Sequence, residues 1–265
     1  MDPLQALILG VIQGLTEWLP VSSSGHLVIA QNLLGLNSSE NLVFDLVVHL
    51  GTLLAVVVFF RVELWRIVWS VLAWRSTKEP EQAQLRKLAL LLIIGTIPAG
   101  IAGVLFKEEI ENAFTIRLVG VALLVNACIL FAAWRFGSRG ARKSANLVDA
   151  IVIGLFQVVS IVPGISRSGS TIGSGMLRGL EKETAAVFAF LLSVPVLIGA
   201  FAYGMVALPK FDATPLTAVI GFATSFAVGL ASIKYLLKAV KSGKLWVFSV
   251  YCVIVGALVV VLTSI

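Results

Sequence analysis

The sequence PVSSSGH, residues 20–26, lies in the middle of an apolar stretch that runs from residue 3 to residue 34. Proline and glycine end helices, and serine side chains cap them. The stretch is therefore predicted to form two short helices joined by a turn. A second sequence of the same kind, PGISRSGST at residues 163–171, interrupts the apolar stretch 146–178 in the same way.

The composition around these two breaks is that of a membrane protein. Hydrophobic residues make up 58% of the 265 residues, charged residues make up 13%, and the mean hydropathy is +1.00. The sequence predicts an all-α polytopic membrane protein with six transmembrane helices and, at the two breaks, two re-entrant helix hairpins. The six stretches that reach the length of about 20 apolar residues needed for a span are 41–61, 88–106, 115–135, 184–207, 214–237 and 245–264.

The two interrupted stretches resemble each other at an offset of 144 residues, which places Gln13 on Gln157 and Ser22 on Ser166. This similarity predicts a single membrane domain made of two repeats, about 1–140 and 146–265. Each repeat would hold one re-entrant hairpin followed by three spans, and an odd number of crossings turns the second repeat upside down. In such inverted-topology proteins, sites form near the membrane midplane where broken helices meet.

The distribution of charge predicts the orientation. With Lys234 included, the connections 61–87, 135–146, 178–183 and 238–244 carry 16 of the 20 Lys and Arg residues. By the positive-inside rule these connections are cytoplasmic, so both termini lie outside the plasma membrane and the first hairpin opens to the outer face. This bias, together with anionic lipid headgroups, accounts for the net charge of +6, and no nucleic-acid partner is expected.

Arg167 is the one basic residue left within a break. An arginine at a lipid-exposed position near the membrane centre costs at least about 2.5 to 3.5 kcal/mol, so it should face a cavity and an anionic partner. The start of a short helix favours phosphate, because its free N–H groups and dipole attract anions. An internal salt bridge between Arg167 and Glu17, with no ligand, is the alternative. The residues expected to line a phosphate site are Ser22, Ser24, Gly25, Ser166, Ser168 and Thr171.

The first break adds the groups that phosphoryl transfer needs. Ser23 can attack or position the attack, His26 can remove or return a proton, and Glu17 can orient the histidine or hold a divalent cation. Gln13 lies one helical turn before Glu17, so both could reach that cation. For each residue alone, a purely structural role is the alternative.

A second polar pair, Asp45 and His49, shares one face of the first span and is expected to support the site. Its alternative role is to form a mutual bond that caps the start of the span.

The motifs QGLTEWLPVSSSGH (13–26), FDLVVHLGT (44–52) and PGISRSGST (163–171) resemble the signature segments of the undecaprenyl-diphosphatase family, the bacitracin-resistance type of membrane phosphatase. The resemblance covers essentially the whole chain. It implies dephosphorylation of undecaprenyl diphosphate to the monophosphate, which recycles the lipid carrier of cell-wall synthesis at the outer face of the membrane. It also implies a divalent cation, magnesium or calcium, and places the family's serine, histidine and arginine on Ser23, His26 and Arg167.

The chain departs from the family pattern at two positions. Many relatives have Glu where this chain has Gln13, which puts a cation clamp of two carboxylates in doubt. Ser24 stands where threonine is common, and that change keeps the hydroxyl. The rival function is a transporter or flippase of polyprenyl phosphate lipids, because inverted repeats with broken helices are also a transporter design. The sequence leaves open whether the chain forms a homodimer.

Overall fold

The computed structural model describes residues 1–36, 41–73, 79–106, 115–137, 142–207 and 214–264. Within these residues the chain forms eleven α-helices, numbered here in chain order. Their bounds are α1 Pro3–Trp18, α2 Ser23–Leu33, α3 Leu42–Phe59, α4 Arg61–Leu72, α5 Pro80–Leu105, α6 Ile116–Phe136, α7 Leu147–Val159, α8 Arg167–Leu177, α9 Lys182–Ala207, α10 Pro215–Lys241 and α11 Leu245–Leu262.

Six of these helices are long and apolar enough to cross a membrane: α3, α5, α6, α9, α10 and α11. They coincide with the six predicted stretches, so that prediction is confirmed and the chain is a multi-pass membrane protein. The largest difference is at α5, which begins at Pro80 and not near residue 88. Proline is well suited to the first helical position, where its missing N–H has no intrahelical role.

Helix α4 was not expected from the sequence. With 12 residues it is too short for a span, and it follows α3 after a single residue at Phe60. Trp65 and Trp69 are exposed and stack on each other, with ring centroids 6.2 Å apart. Exposed tryptophans beside Arg61 and Arg66 are typical of a helix that lies in the membrane interface.

The two interrupted stretches form the two expected helix pairs, α1 with α2 and α7 with α8, and the helices of each pair contact each other. Their local structure matches at the 144-residue offset. Asp2 and Gln5 form a capping box at the start of α1, and Asn146 and Asp149 form one at the start of α7. The inverted two-fold relation between the halves remains a prediction.

Small residues let the first pair pack closely against the spans. A Cβ added to Gly14 in α1 would lie 2.8 Å from the Val228 Cβ and 2.9 Å from the Ser225 carbonyl of α10. Gly51 of α3 approaches α10 equally closely at Phe222 and Ser225. Close approach through small residues is the usual way in which helices associate in lipid. The end of α1, which carries Glu17, is therefore held firmly beside α3 and α10.

A buried carboxylate, Asp149, connects the start of α7 to the end of α8 in the second pair. The Asp149 side chain is fully buried and accepts hydrogen bonds from Arg142 at 2.7 and 2.9 Å and from Arg178 at 3.2 Å. Burial alone would raise the pKa of Asp149, but the bonds from the two arginines and the Asn146 N–H hold it below its ordinary value. Asp149 thus joins the segment before α7 to the end of α8.

Candidate active site

The first break places an unusual backbone conformation directly before Ser23. Helix α1 ends at Trp18, and α2 starts after Ser22, whose φ is +70°. Ser22 is the only residue other than glycine with a positive φ in the described ranges. Such conformations cost energy and persist only where surrounding contacts fix them, often at functional sites. The Ser22 Oγ accepts a hydrogen bond from the Gly25 N–H at 3.3 Å and so caps α2.

The second break repeats this arrangement. The Ser166 Oγ accepts from the Gly169 N–H at 3.1 Å and caps α8. Before it, Gly164 has a φ of +103°, and a Cβ there would lie 2.6 Å from both the Ala122 Cβ and the Val119 carbonyl oxygen. Only glycine fits this position, because it alone combines that backbone conformation with so little space.

The two breaks are bonded to each other. The Gly164 N–H donates to the Ser22 Oγ at 3.1 Å, and the Ser168 hydroxyl donates to the Leu19 carbonyl at 3.2 Å. The fully buried Asn126 of α6 joins both, because its Nδ2 donates to the Pro20 carbonyl at 2.9 Å and its Oδ1 accepts from the Ser166 N–H at 3.1 Å. The starts of α2 and α8 are therefore held together as one unit.

A buried carboxylate, that of Glu17, contacts several polar side chains at this unit. The Glu17 Oε2 accepts from the Ser23 hydroxyl at 2.6 Å and from the Gln13 Nε2 at 3.0 Å. The Glu17 Oε1 accepts from an Arg167 guanidinium nitrogen at 3.2 Å, although 150 residues separate the two in sequence. The Nε2 of His49 lies 3.7 Å from the Glu17 Oε2. These five side chains, called the Glu17 cluster below, combine a hydroxyl, a carboxylate and a guanidinium at the junction of the two hairpins.

His26 lies outside the direct contacts of this cluster. The sequence predicts that the imidazole removes or returns a proton for Ser23, but the hydroxyl of Ser23 donates to Glu17. The His26 Nδ1 instead lies 2.8 Å from the Ser22 carbonyl and its Nε2 lies 2.7 Å from the Tyr251 hydroxyl of α11. The reason is side-chain direction: α2 turns Ser23 back toward α1 and turns His26, one turn later, toward α11.

The pair Asp45 and His49 divides between two environments. The His49 Nδ1 donates to the backbone carbonyl of Asp45 at 2.6 Å, which turns the ring's other nitrogen toward Glu17. The Asp45 carboxylate accepts from the Gln31 Nε2 at 2.7 Å and has no recorded bond to the Glu17 cluster. His49 is thus part of the Glu17 cluster, and the Asp45 backbone carbonyl orients its ring.

The residues expected to bind phosphate lie at the starts of α2 and α8, where most of their hydroxyls bond within the breaks. The hydroxyls of Ser22 and Ser24 lie 3.4 Å apart, those of Ser166 and Ser168 lie 3.0 Å apart, and the Thr171 hydroxyl donates to the Arg167 carbonyl at 2.8 Å.

Backbone donors remain available at the same place. Within the described residues, no hydrogen bond is recorded for the N–H groups of Ser23 and Ser24 in α2 or of Arg167 and Ser168 in α8. Free N–H groups at two helix starts are donors suited to phosphate oxygens.

The oxygen atoms around Glu17 fit a cation only in part. No group of three or more His, Cys, Asp and Glu side chains that could hold a metal ion occurs in the described ranges. Beside the Glu17 carboxylate, the Gln13 Oε1 is buried and has no hydrogen-bond partner among the described residues. Mg²⁺ is commonly bound by one or two protein oxygens with water and substrate phosphates completing the shell. The residues therefore fit a cation that is shared with a phosphate substrate, and do not fit one held by protein ligands alone.

Three residues at the site were not predicted from the sequence: Asn126, Tyr251 and Thr52, whose hydroxyl lies 3.4 Å from the Gln13 Nε2. Asn126 carried a usable signal, because an amide in the middle of an apolar span faces protein and usually has a role. Tyr251 is an ordinary residue of a membrane helix, and nothing in its local sequence marks it. Thr52 ends the motif FDLVVHLGT, but no role was assigned to it.

Comparison with known proteins decides the family. The family model described as bacitracin resistance protein BacA matches residues 6–258. The chain belongs to this family. A protein of Korarchaeum cryptofilum named undecaprenyl-diphosphatase is 41% identical, with 97% of each chain covered. Proteins with the same name from Methanosphaera stadtmanae and Bacteroides fragilis are 39% and 38% identical, with at least 99% of each chain covered.

Proposed function

We propose that this protein is a membrane phosphatase that hydrolyses undecaprenyl diphosphate to undecaprenyl phosphate and inorganic phosphate, and that it thereby recycles the lipid carrier of cell-wall synthesis and gives bacitracin resistance. The names of the relatives support this substrate. The observation that carries the proposal is the Glu17 carboxylate, which accepts a hydrogen bond from the Ser23 hydroxyl at 2.6 Å and one from the Arg167 guanidinium at 3.2 Å. A nucleophile, its base and a phosphate-binding guanidinium thus lie together at one point.

The first step is an attack by Ser23 on the terminal phosphorus. The hydroxyl proton passes to Glu17, a bond forms between the Ser23 Oγ and phosphorus, and the bond from phosphorus to the bridging oxygen breaks. The bridging oxygen keeps the electron pair, and undecaprenyl phosphate leaves. This assignment gives Glu17 the role of general base, because it is the group in contact with the hydroxyl.

In the second step, water hydrolyses the phosphoserine. The water oxygen attacks phosphorus, the Ser23 oxygen leaves and takes back the proton from Glu17, and inorganic phosphate is released. The proton of the attacking water needs a second base. His26, one turn along α2 from Ser23, is the group that we assign to this role.

Arg167 and the helix starts stabilise the charge that develops on the phosphoryl oxygens. The guanidinium is 27% exposed beside a carboxylate that is 3% exposed, so a phosphate can reach it without displacing Glu17 from the core. Its planar donor set binds two phosphate oxygens at once, which an ammonium group cannot do. The unbonded N–H groups at the starts of α2 and α8 are placed to serve the same oxygens.

A divalent cation, magnesium or calcium, is proposed to enter with the substrate, with Glu17 and the Gln13 Oε1 as its protein ligands. When bound, such a cation neutralises the charge of the diphosphate and of the leaving monophosphate.

The proposed setting is the plasma membrane, with both termini and the active site on the outer face. The uneven distribution of Lys and Arg among the connections supports this orientation. The substrate tail stays among the membrane lipids while the diphosphate reaches the two breaks. A transporter of the same lipids would need the fold and Arg167, but it would not need a serine hydroxyl bonded to a buried carboxylate.

The test is phosphate release from undecaprenyl diphosphate by the purified chain in detergent, with Ser23→Ala, Arg167→Lys and the distant exposed variant Lys238→Gln in parallel. We expect turnover to fall by orders of magnitude in the first two variants and to stay at the wild-type level in Lys238→Gln. Lipid binding without phosphate release by the wild type would reject the phosphatase in favour of a carrier.

A further inference from the structure

Both ring nitrogens of His26 have a partner, and one of them comes from a distant helix. The Nδ1 lies 2.8 Å from the Ser22 carbonyl, and the Nε2 lies 2.7 Å from the hydroxyl of Tyr251 in α11. The two ring planes are nearly parallel, at 15°, with centroids 5.6 Å apart. The imidazole is thus held at both of its ring nitrogens.

These partners fix the protonation pattern of the neutral ring. A carbonyl oxygen can only accept, so the Nδ1 carries the proton and donates it to Ser22. The Nε2 then has a lone pair, and the Tyr251 hydroxyl donates to it. In this state the Nε2 is a proton acceptor, which is the form that a general base requires.

The hydrogen bond is not a consequence of close helix packing. Within the described residues, α2 and α11 do not pack closely on each other, whereas α11 packs extensively on α6. Tyr251 is 40% exposed, so its ring contributes little to the core. The contact with His26 therefore explains why a hydroxyl is present at this position better than packing does.

The Nδ1 of the imidazole is bonded to the residue that precedes the nucleophile. Ser22, which accepts the Nδ1 proton, is the residue with positive φ that immediately precedes Ser23. One hydrogen bond therefore links the His26 ring to the turn that precedes Ser23. Loss of the Tyr251 hydroxyl frees the ring to rotate, and the base loses its orientation.

We infer that Tyr251 is a positioning residue for His26: its hydroxyl keeps the Nε2 unprotonated and oriented until the attacking water of the second step replaces it at that lone pair. The inference rests on the proposed phosphatase function, and nothing in the reaction requires Tyr251 to touch the substrate.

The experiment compares Tyr251→Phe with the control Tyr235→Phe, which removes the hydroxyl of an exposed tyrosine in α10. A general base contributes on the order of 10² to 10⁴ in rate, and loss of its orientation with the ring intact should remove about tenfold of this. We expect kcat to fall about tenfold in Tyr251→Phe with KM unchanged, and no change in Tyr235→Phe.

A double-mutant cycle separates positioning from a general structural effect. In a His26→Ala background, Tyr251→Phe should have no further effect on kcat, because the ring that it positions is gone. A tyrosine that merely stabilises α11 would reduce kcat equally in both backgrounds. Equal reductions, or an unchanged kcat in Tyr251→Phe alone, would overturn the inference.

A spectroscopic measurement does not depend on activity. The chain has only two histidines, so ¹⁵N-histidine labelling gives two ring systems, and His49→Gln assigns them. We expect an unprotonated, hydrogen-bonded Nε2 for His26 that shifts in Tyr251→Phe while the His49 resonances stay in place. A protonated Nε2 in the wild type, or no shift, would refute the role of Tyr251. If the wild type releases no phosphate, the proposed function fails, and the spectra still show whether Tyr251 holds His26.

Discussion

Replacement of Glu17 by glutamine tests the assignment of the general base. The substitution keeps the size of the side chain and an oxygen that can accept from Ser23, but it removes the negative charge. The Ser23 Oγ lies 2.6 Å from the Glu17 Oε2, which is the usual length of a hydroxyl bond to an ionised carboxylate. An amide cannot take the proton, so the whole contribution of the base should be lost.

The expected loss follows from that contribution. General base catalysis supplies on the order of 10² to 10⁴ in rate, which equals about 2.7 to 5.4 kcal/mol at 1.36 kcal/mol per tenfold. The loss in the free energy of unfolding should be smaller. Removal of one partner of a buried ion pair costs about 3 to 5 kcal/mol, but the Arg167 side chain is 27% exposed and can be hydrated, so we expect about 1 to 2 kcal/mol.

The assay is single-turnover phosphate release in detergent, with thermal unfolding measured on the same samples. Glu63→Gln is the matched control, because Glu63 lies in the first turn of α4, outside the contacts of the site. We expect Glu17→Gln to lose at least about 10² in rate and Glu63→Gln to retain wild-type turnover. A Glu17→Gln enzyme that keeps a third or more of its turnover would refute Glu17 as the base and return that role to His26.

Three further predictions concern residues around the site. Gln13→Glu adds the second carboxylate, and it should lower the Mg²⁺ concentration for half-maximal turnover by about tenfold; an unchanged titration would exclude Gln13 as a ligand. Gly164→Ala should destabilise the fold by at least about 2 kcal/mol in thermal unfolding, because of its φ and the 2.6 Å clashes. Gly100→Ala should not, because a Cβ added there meets no atom of the described residues within 4 Å. The pKa of Asp149 is lowered in the folded protein, so its stabilising effect is present above the ordinary pKa of about 3.9 and is lost as the pH falls through the lower folded pKa. Asp149→Asn should therefore be less stable than the wild type at neutral pH and should lose less stability on acidification. Parallel curves of stability against pH for the two proteins would contradict this.

The six spans and the two broken helices could be predicted from the sequence, because apolar length and the placement of proline, glycine and serine depend on local chemistry. The proximity of Arg167 to Glu17 was also foreseeable, since a guanidinium at membrane depth requires an anionic partner. The salt bridge itself matches the alternative considered at the outset, and the contact of Ser23 with the same carboxylate is what distinguishes a reactive site from a simple ion pair.

Contacts that depend on side-chain direction could not be predicted. Ser23 and His26 are one turn apart in α2, and the sequence does not show that one turns toward Glu17 and the other toward Tyr251, 225 residues away. Helix α4 was missed because a short amphipathic segment gives no signal in a search for spans.

In the proposed mechanism, Ser23 carries the phosphoryl group during turnover. The direct measurement is rapid quenching of the purified protein with undecaprenyl diphosphate labelled in the terminal phosphate, followed by proteolysis and mass spectrometry of the 13–36 region. Acidic and neutral quenches are run in parallel, because phosphoserine survives acid and phosphohistidine does not. We expect acid-stable phosphate on Ser23. Acid-labile phosphate on His26, or turnover with no labelled residue under either quench, would contradict it.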